Sequence, residues 1–192
     1  MYRDLNCTIR GVSPLLMHNG QLADPLNSFA IAMKKISSKR DKTEADLEEL
    51  GHLEWLGSLY LHEQEPCIPG ELLEGTLLEA ARKRRRGKQV AAGVWCESNF
   101  PLVYEGPRDL EGLWCNPQFR LTTGARVQRN RVMRTRPRYE QWAAAVKVTF
   151  NDELLNRAEV LELLRLAGEQ VGIGDWRPKF GRFVVESVET AE

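Results

Sequence analysis

Residues 82–88 read RKRRRGK, placing Arg82, Lys83, Arg84, Arg85, Arg86 and Lys88 within two helical turns. Cations suit the last turn of a helix, where the dipole leaves partial negative charge. One or two are enough for that, and like charges packed this closely repel. So dense a run points to a polyanionic partner. A second run, RVQRNRVMRTRPR over residues 126–138, contains Arg126, Arg129, Arg131, Arg134, Arg136 and Arg138 and no lysine. The planar guanidinium holds phosphate bidentately and stacks on bases, so an all-arginine segment leans towards nucleic acid. In an extended conformation Arg134, Arg136 and Arg138 share one face. The structural alternative is an edge strand defended by charge. A third stretch, GIGDWRPKFGRF, runs from Gly172 to Phe183. Gly172 and Gly174 let backbone N–H groups approach phosphates, Arg177 and Lys179 add charge, and Trp176 and Phe180 can stack on bases. The alternative is that Gly172 caps a helix and Trp176 fills the core.

Cleavage chemistry would need carboxylates holding a metal or a poised acid and base. The histidines are His18, His52 and His62. His52 and His62 are expected at the surface. His18 is the acid/base candidate, and Asp24 is the other catalytic alternative, although Asp24-Pro25 also reads as a helix start. There is no Ser/His/Asp arrangement, P-loop or zinc motif. Cys7, Cys67, Cys96 and Cys115 are scattered without metal-ligand spacing, so no metal and no cofactor is expected and a reducing cytoplasm fits.

The chain has 192 residues with 27 Lys plus Arg against 27 Asp plus Glu, so bulk charge says nothing about partners. Its clustering does, because neither basic window holds an acid. No apolar run approaches a membrane span, and no membrane partner is expected.

These side chains need positioning elements. Leu5, Cys7 and Ile9 alternate with polar residues, predicting a half-buried strand, and LLMHNGQLA reads as a loop after it. Helices are predicted from Asp24 (Leu26, Phe29, Ala30, Met33 apolar) and from a Thr43/Asp46 capping box to about Tyr60. Pro69-Gly70 opens a helix with Leu73, Leu77, Ala80 and Ala81 on one stripe, stopped at Gly87. Val94–Cys96 and Leu102–Tyr104 read as strand pieces split by Pro101, and Glu105–Pro117 as a loop. Ala144, Val146, Val148 and Phe150 predict a strand, 154–171 a helix, and Phe183 onwards a last strand. The expected fold class is α+β, a ferredoxin-like, RRM-like β-α-β-β-α-β core spanning 1–192. It carries a helical-hairpin insertion at 24–61 and an arginine-rich arm at 105–142.

Three stretches together resemble the RAMP superfamily, the RNA-recognition-type proteins of CRISPR effector complexes: SPLLMHNG after the first strand, IPGELLEG opening the first core helix, and GIGDWRPKFGRF before the last strand. The nearest branch is the backbone subunits. The resemblance implies guide-RNA binding along the first-strand loop and the Gly172–Gly181 loop, and an inserted arm acting as a thumb between nucleotides. It implies single-stranded RNA as partner, a complementary target strand, copies of the chain itself head to tail, and other effector subunits. After Ile-Pro-Gly the family has small hydroxyl residues and a lysine, whereas Glu71, Leu72, Leu73 and Glu74 follow here. Two acids there would repel phosphates. Two other readings accompany this one. One is a processing endoribonuclease of the same superfamily using His18 or Asp24. The other is a phage or mobile-element assembly protein reusing the fold.

Overall fold

A computed structural model describes residues 1–127 and 130–188, with the backbone alone at 126, 127, 130 and 131. The chain begins with strand β1 (Tyr2–Gly11), a short β2 (Leu15–Leu16), and helices α1 (Ser28–Ser37) and α2 (Glu44–Ser58). Strands β3 (Leu61–His62) and β4 (Glu65–Pro69) lead into α3 (Gly70–Lys83), α4 (Gly87–Gly93), β5 (Val94–Trp95) and β6 (Asn99–Pro101). A short α5 (Leu110–Cys115) precedes the hairpin of β7 (Arg120–Val127) and β8 (Asn130–Tyr139). Then come β9 (Ala143–Asn151), α6 (Arg157–Gln170) and β10 (Phe183–Val188). The described residues divide into two units. The first comprises Met1–Leu15, Leu61–Glu105 and Glu140–Glu192, and the second Leu16–Tyr60 and Gly106–Tyr139.

The first unit is built on a four-stranded antiparallel sheet of order β10-β1-β9-β5. With α3 after β1 and α6 after β9, this is the ferredoxin-like β-α-β-β-α-β arrangement, and the fold is α+β. Period-two patterning puts Leu5, Cys7 and Ile9 of β1 on the same buried face as Val146, Val148 and Phe150 of β9. The helical stripe Leu73, Leu77, Ala80, Ala81 is fully buried, as are Val160, Leu164 and Ala167 of α6. Each buried leucine or valine among these contributes about 1.5–3 kcal/mol. α6 starts later than its apolar pattern suggests, because Asn156 and Glu159 form a capping box that sets the first turn.

In the second unit α2 opens on the Thr43/Asp46 capping box, completed by the Asp46 carboxylate, which also holds Lys39. Trp55 is fully buried and donates to the Phe119 carbonyl at 2.9 Å, and Phe119 meets Tyr139 edge-on at 5.6 Å. α1 begins at Ser28, capped by Asn27, and not at Asp24. Asp24 instead closes a 3-10 turn and accepts from Leu26 N–H at 2.9 Å, which leaves Leu26 exposed and off the apolar face. Leu15, Leu16 and Met17 are buried, so the segment read as a loop is an apolar anchor. Glu105–Pro117 contains α5, whose first turn Asp109 caps through Gly112 N–H at 2.7 Å. Pro101 lies inside β6, because among the described residues β6 pairs only with β4 and an edge position tolerates proline. No helix among the described residues is long and apolar enough to cross a membrane.

Candidate nucleic-acid interface

The basic run folds as a tight turn between α3 and α4. Arg84 N–H and Arg86 N–H both reach the Ala81 carbonyl, at 3.0 and 2.8 Å, and Arg85 takes a left-handed φ of 59°. Arg85, not Gly87, is therefore the left-handed residue ending α3, and Gly87 opens α4. A side chain in that region costs about 1 kcal/mol. Two ion pairs to α6 hold the turn in place: Arg86 Nη2 to Glu159 Oε1 at 2.5 Å and Arg84 Nη2 to Glu162 Oε1 at 3.3 Å. Lys83 Nζ donates to the Gln170 carbonyl at 3.4 Å. Arg82, Arg85 and Lys88 have no carboxylate partner among the described residues, and they line one open cleft of ≈ 510 Å³ with Leu78, Gly87 and Gln89. The six cations thus divide into a pinned set and a solvent-facing set.

The 172–182 loop lies against α3. Arg177 Nη1 is 3.5 Å from Glu79 Oε2, one turn before Arg82, and Thr76 Oγ1 donates to the Gly172 carbonyl at 3.2 Å. Gly172 and Gly174 adopt φ of 77° and 84°. Gly172 N–H donates to Ala167 O and Gly181 N–H to Pro14 O, both at 2.8 Å, so these two amides are committed internally rather than offered to phosphate. Gly181 is sterically required: its φ is 73°, and a Cβ would lie 1.7 Å from the Ile173 carbonyl oxygen. The first-strand turn joins the loop directly, through Val12 N–H to Arg182 O at 2.8 Å and Arg182 N–H to Ser13 Oγ at 2.9 Å. Only Ser13 and Pro14 of that motif share the first unit, together with Leu15; the rest belongs to the second. Trp176 is 45% exposed and does not fill the core. Its ring meets Phe180 at 5.4 Å, and Lys179 Nζ sits 4.5 Å over Trp176 and 5.6 Å over Phe180.

The start of α3 is closed off. Gly70 is needed there, since a Cβ would meet the Cys96 carbonyl oxygen at 2.0 Å. Glu74 Oε1 accepts from Cys96 N–H at 2.6 Å. Glu74 is therefore a tether for the 96–98 segment. Burial, aided by the charge of Glu74, pushes the Cys96 thiol up to about 12, and burial takes Cys67 to about 11. All four cysteines are unbridged.

In the second unit the alternation of the arm is realised. Thr135, Pro137 and Tyr139 of β8 are buried, while Arg134, Arg136 and Arg138 are half-buried on the opposite face. Arg134 Nη1 is bound to Glu54 Oε1 at 2.7 Å, and Glu54 Oε2 accepts from Thr135 N–H at 2.9 Å. Arg129 lies outside the described residues, as do the side chains of Arg126 and Arg131. His18 is exposed, with Nδ1 3.4 Å from Ser58 Oγ and its carbonyl accepting from Tyr60 Oη at 2.9 Å. Asp24 is exposed in its turn. His62 is exposed, whereas His52 is half-buried and stacked on Trp114 at 4.5 Å. Arg120 sits 4.5 Å from the same indole ring. Burial, and then the Arg120 charge, lowers the His52 pKa against a smaller upward pull from Glu48. Nothing in the spacing of His52, Trp114 and Arg120 along the sequence links them. No group of three or more His, Cys, Asp or Glu that could hold a metal occurs among the described residues.

No family model matches the sequence, and no curated protein does. Among solved structures, the chain is similar to the crystal structure of Cmr6 from Pyrococcus furiosus at 11% identity and a TM-score of 0.41, over 97% of this chain and 98% of that one.

Proposed function

We propose that the chain is a non-enzymatic, single-stranded RNA-binding subunit that polymerises along a guide RNA in a CRISPR-type effector complex. The observation that carries the reading is the convergence on one end of α3. There Arg82, Arg85 and Lys88, which no carboxylate among the described residues pairs, lie beyond Glu79, where Arg177 of the loop bearing Trp176, Lys179 and Phe180 is held. Phosphates would be held by the cleft cations. Bases would stack on Trp176 or Phe180 once Lys179 moves aside to a phosphate. The arginine-rich hairpin would supply further contacts as a thumb, through Arg126, Arg129, Arg131, Arg136 and Arg138. The three motifs that resemble the RAMP superfamily support the RNA assignment and the repeated head-to-tail assembly.

The test is mass photometry of the purified chain mixed with single-stranded RNAs of increasing length, before and after ribonuclease. The expected result is a ladder of oligomers that grows with RNA length and collapses on digestion. Oligomers indifferent to ribonuclease would favour a protein-assembly role and overturn the reading.

A further inference from the structure

We propose that Glu54 is the positioning residue of the arginine-bearing hairpin, the fixed point from which β7 and β8 present their arginines to RNA. Thr135, Pro137 and Tyr139 share one face of β8 and are buried, whereas Met133, the next residue on that face, is 65% exposed. Packing support for the strand therefore ends at Thr135, and Glu54 of α2 fastens β8 at that residue. Its side chain is only 5% exposed. Oε2 accepts from Thr135 N–H at 2.9 Å, and Oε1 accepts from Arg134 Nη1 at 2.7 Å. Gly51, one turn earlier, lets the helix come close, since a Cβ there would lie 3.3 Å from Thr135 Oγ1. Thr135 Oγ1 is in turn 3.0 Å from Thr122 Oγ1, which ties β7 to the same point. Two residues further on, Pro137 has no N–H, and its carbonyl accepts from Met17 N–H at 3.1 Å. At Thr135 the carboxylate thus takes the place a neighbouring strand would occupy.

A buried carboxylate is costly, and an apolar pair of similar volume would hold the packing as well. Buried ionic groups are best attested as devices that fix register, and register matters here. A slip of β8 by one residue would turn Arg136 and Arg138 inward and Thr135 and Tyr139 outward. One oxygen of Glu54 is engaged by the backbone of residue 135 and the other by the side chain of residue 134. A slipped strand would break both bonds. Arg134 is thereby an anchor and not a phosphate contact. The helix α2, which the RNA reading leaves without a role, becomes the base of the arm.

The inference rests on the RNA-binding reading for what the arm touches, and the experiment separates the two. Glu54→Met combined with Arg134→Met exchanges the ion pair for apolar side chains, so the full-length variant should fold, as its melting temperature checks. It leaves Thr135 N–H without its acceptor. Amide hydrogen exchange should then quicken at residues 120–125 and 132–135, with the core of the first unit unchanged. Affinity for a labelled single-stranded RNA, measured well below the melting temperature, should fall about tenfold, because arginines held in advance must now be ordered on binding. The slope of log K against log salt should stay within about 0.7, one phosphate contact, of wild type. Glu54→Gln keeps an acceptor for Thr135 N–H and should restore slow exchange. Wild-type exchange and affinity in the double variant would overturn the positioning role and leave the RNA reading standing. A slope lower by one contact with exchange unchanged would also overturn it, by making Arg134 a phosphate ligand. Faster exchange in the double variant, in a chain whose wild type binds no RNA, would support the positioning role and sink the RNA reading.

Discussion

Replacing Arg82, Arg85 and Lys88 together by alanine removes the three cations of the α3–α4 turn that no carboxylate among the described residues neutralises. On a single strand, each neutralised phosphate contributes about 0.7 to the slope of log K against log salt. Three lost contacts should therefore flatten the slope by about 2. Between 50 and 200 mM monovalent salt, a fourfold change, the wild-type chain should lose about 20-fold more affinity than the triple variant. The internal control is Arg84→Ala with Arg86→Ala. Both side chains are paired to Glu162 and Glu159, so their removal should leave the slope nearly intact and lower stability by about 1–2 kcal/mol in total, as expected for half-exposed ion pairs. Fluorescence anisotropy of a labelled single-stranded RNA across a salt series reads the slopes, and thermal melts read the stability. An unchanged slope in the triple variant, or equal flattening in the control, would refute the division of the turn into contact and support residues.

Other consequences concern the elements that hold the sites. Gly181→Ala forces a Cβ against the Ile173 carbonyl oxygen at a φ of 73°, and should cost about 3 kcal/mol or more by chemical denaturation; a loss below 1 kcal/mol would show that the loop can relax. Glu54→Ala leaves the buried Thr135 N–H and the half-buried Arg134 unpaired, and should destabilise the chain by about 2–4 kcal/mol, whereas a neutral result would mean that water replaces the carboxylate. His52 should titrate below 6.5 by proton NMR. The unfolded chain takes that proton first, so this residue's contribution to stability is intact above about pH 6.5 and declines as pH falls below it. Arg120→Ala should raise the midpoint, and a wild-type midpoint at or above 6.5 would contradict the stack.

The core was legible because it depends on periodicity. Leu5-Cys7-Ile9, Leu73-Leu77-Ala80-Ala81 and Val146-Val148-Phe150 each bury the face their spacing predicts. The ends of elements were less so. Asp24-Pro25 carries a helix-start signature, yet Asn27 provides the cap, because Asp24 is already engaged by Leu26 N–H. Gly87 looked like a helix stop, but the ion pairs to Glu159 and Glu162 hold Arg85 in the left-handed region instead. The basic run itself is plain in the sequence. Its sorting into paired and unpaired cations is not, because the acids responsible lie on α6, far along the chain. The same holds for Arg134 and Glu54, and for Glu74, whose role depends on where Cys96 folds back.

Cys7 of β1 sits in register between Val146 and Val188, so β1 finds its sheet neighbours in strands synthesised well after it. At translation speeds of about 5–20 residues per second, its apolar side stays uncovered for on the order of ten seconds. The other unit has every segment it requires once Tyr139 has left the ribosome. Nascent chains should therefore complete the arginine-bearing half first and close the central sheet last, and the exposed edge of β1 in that interval is where chaperones or aggregation would act.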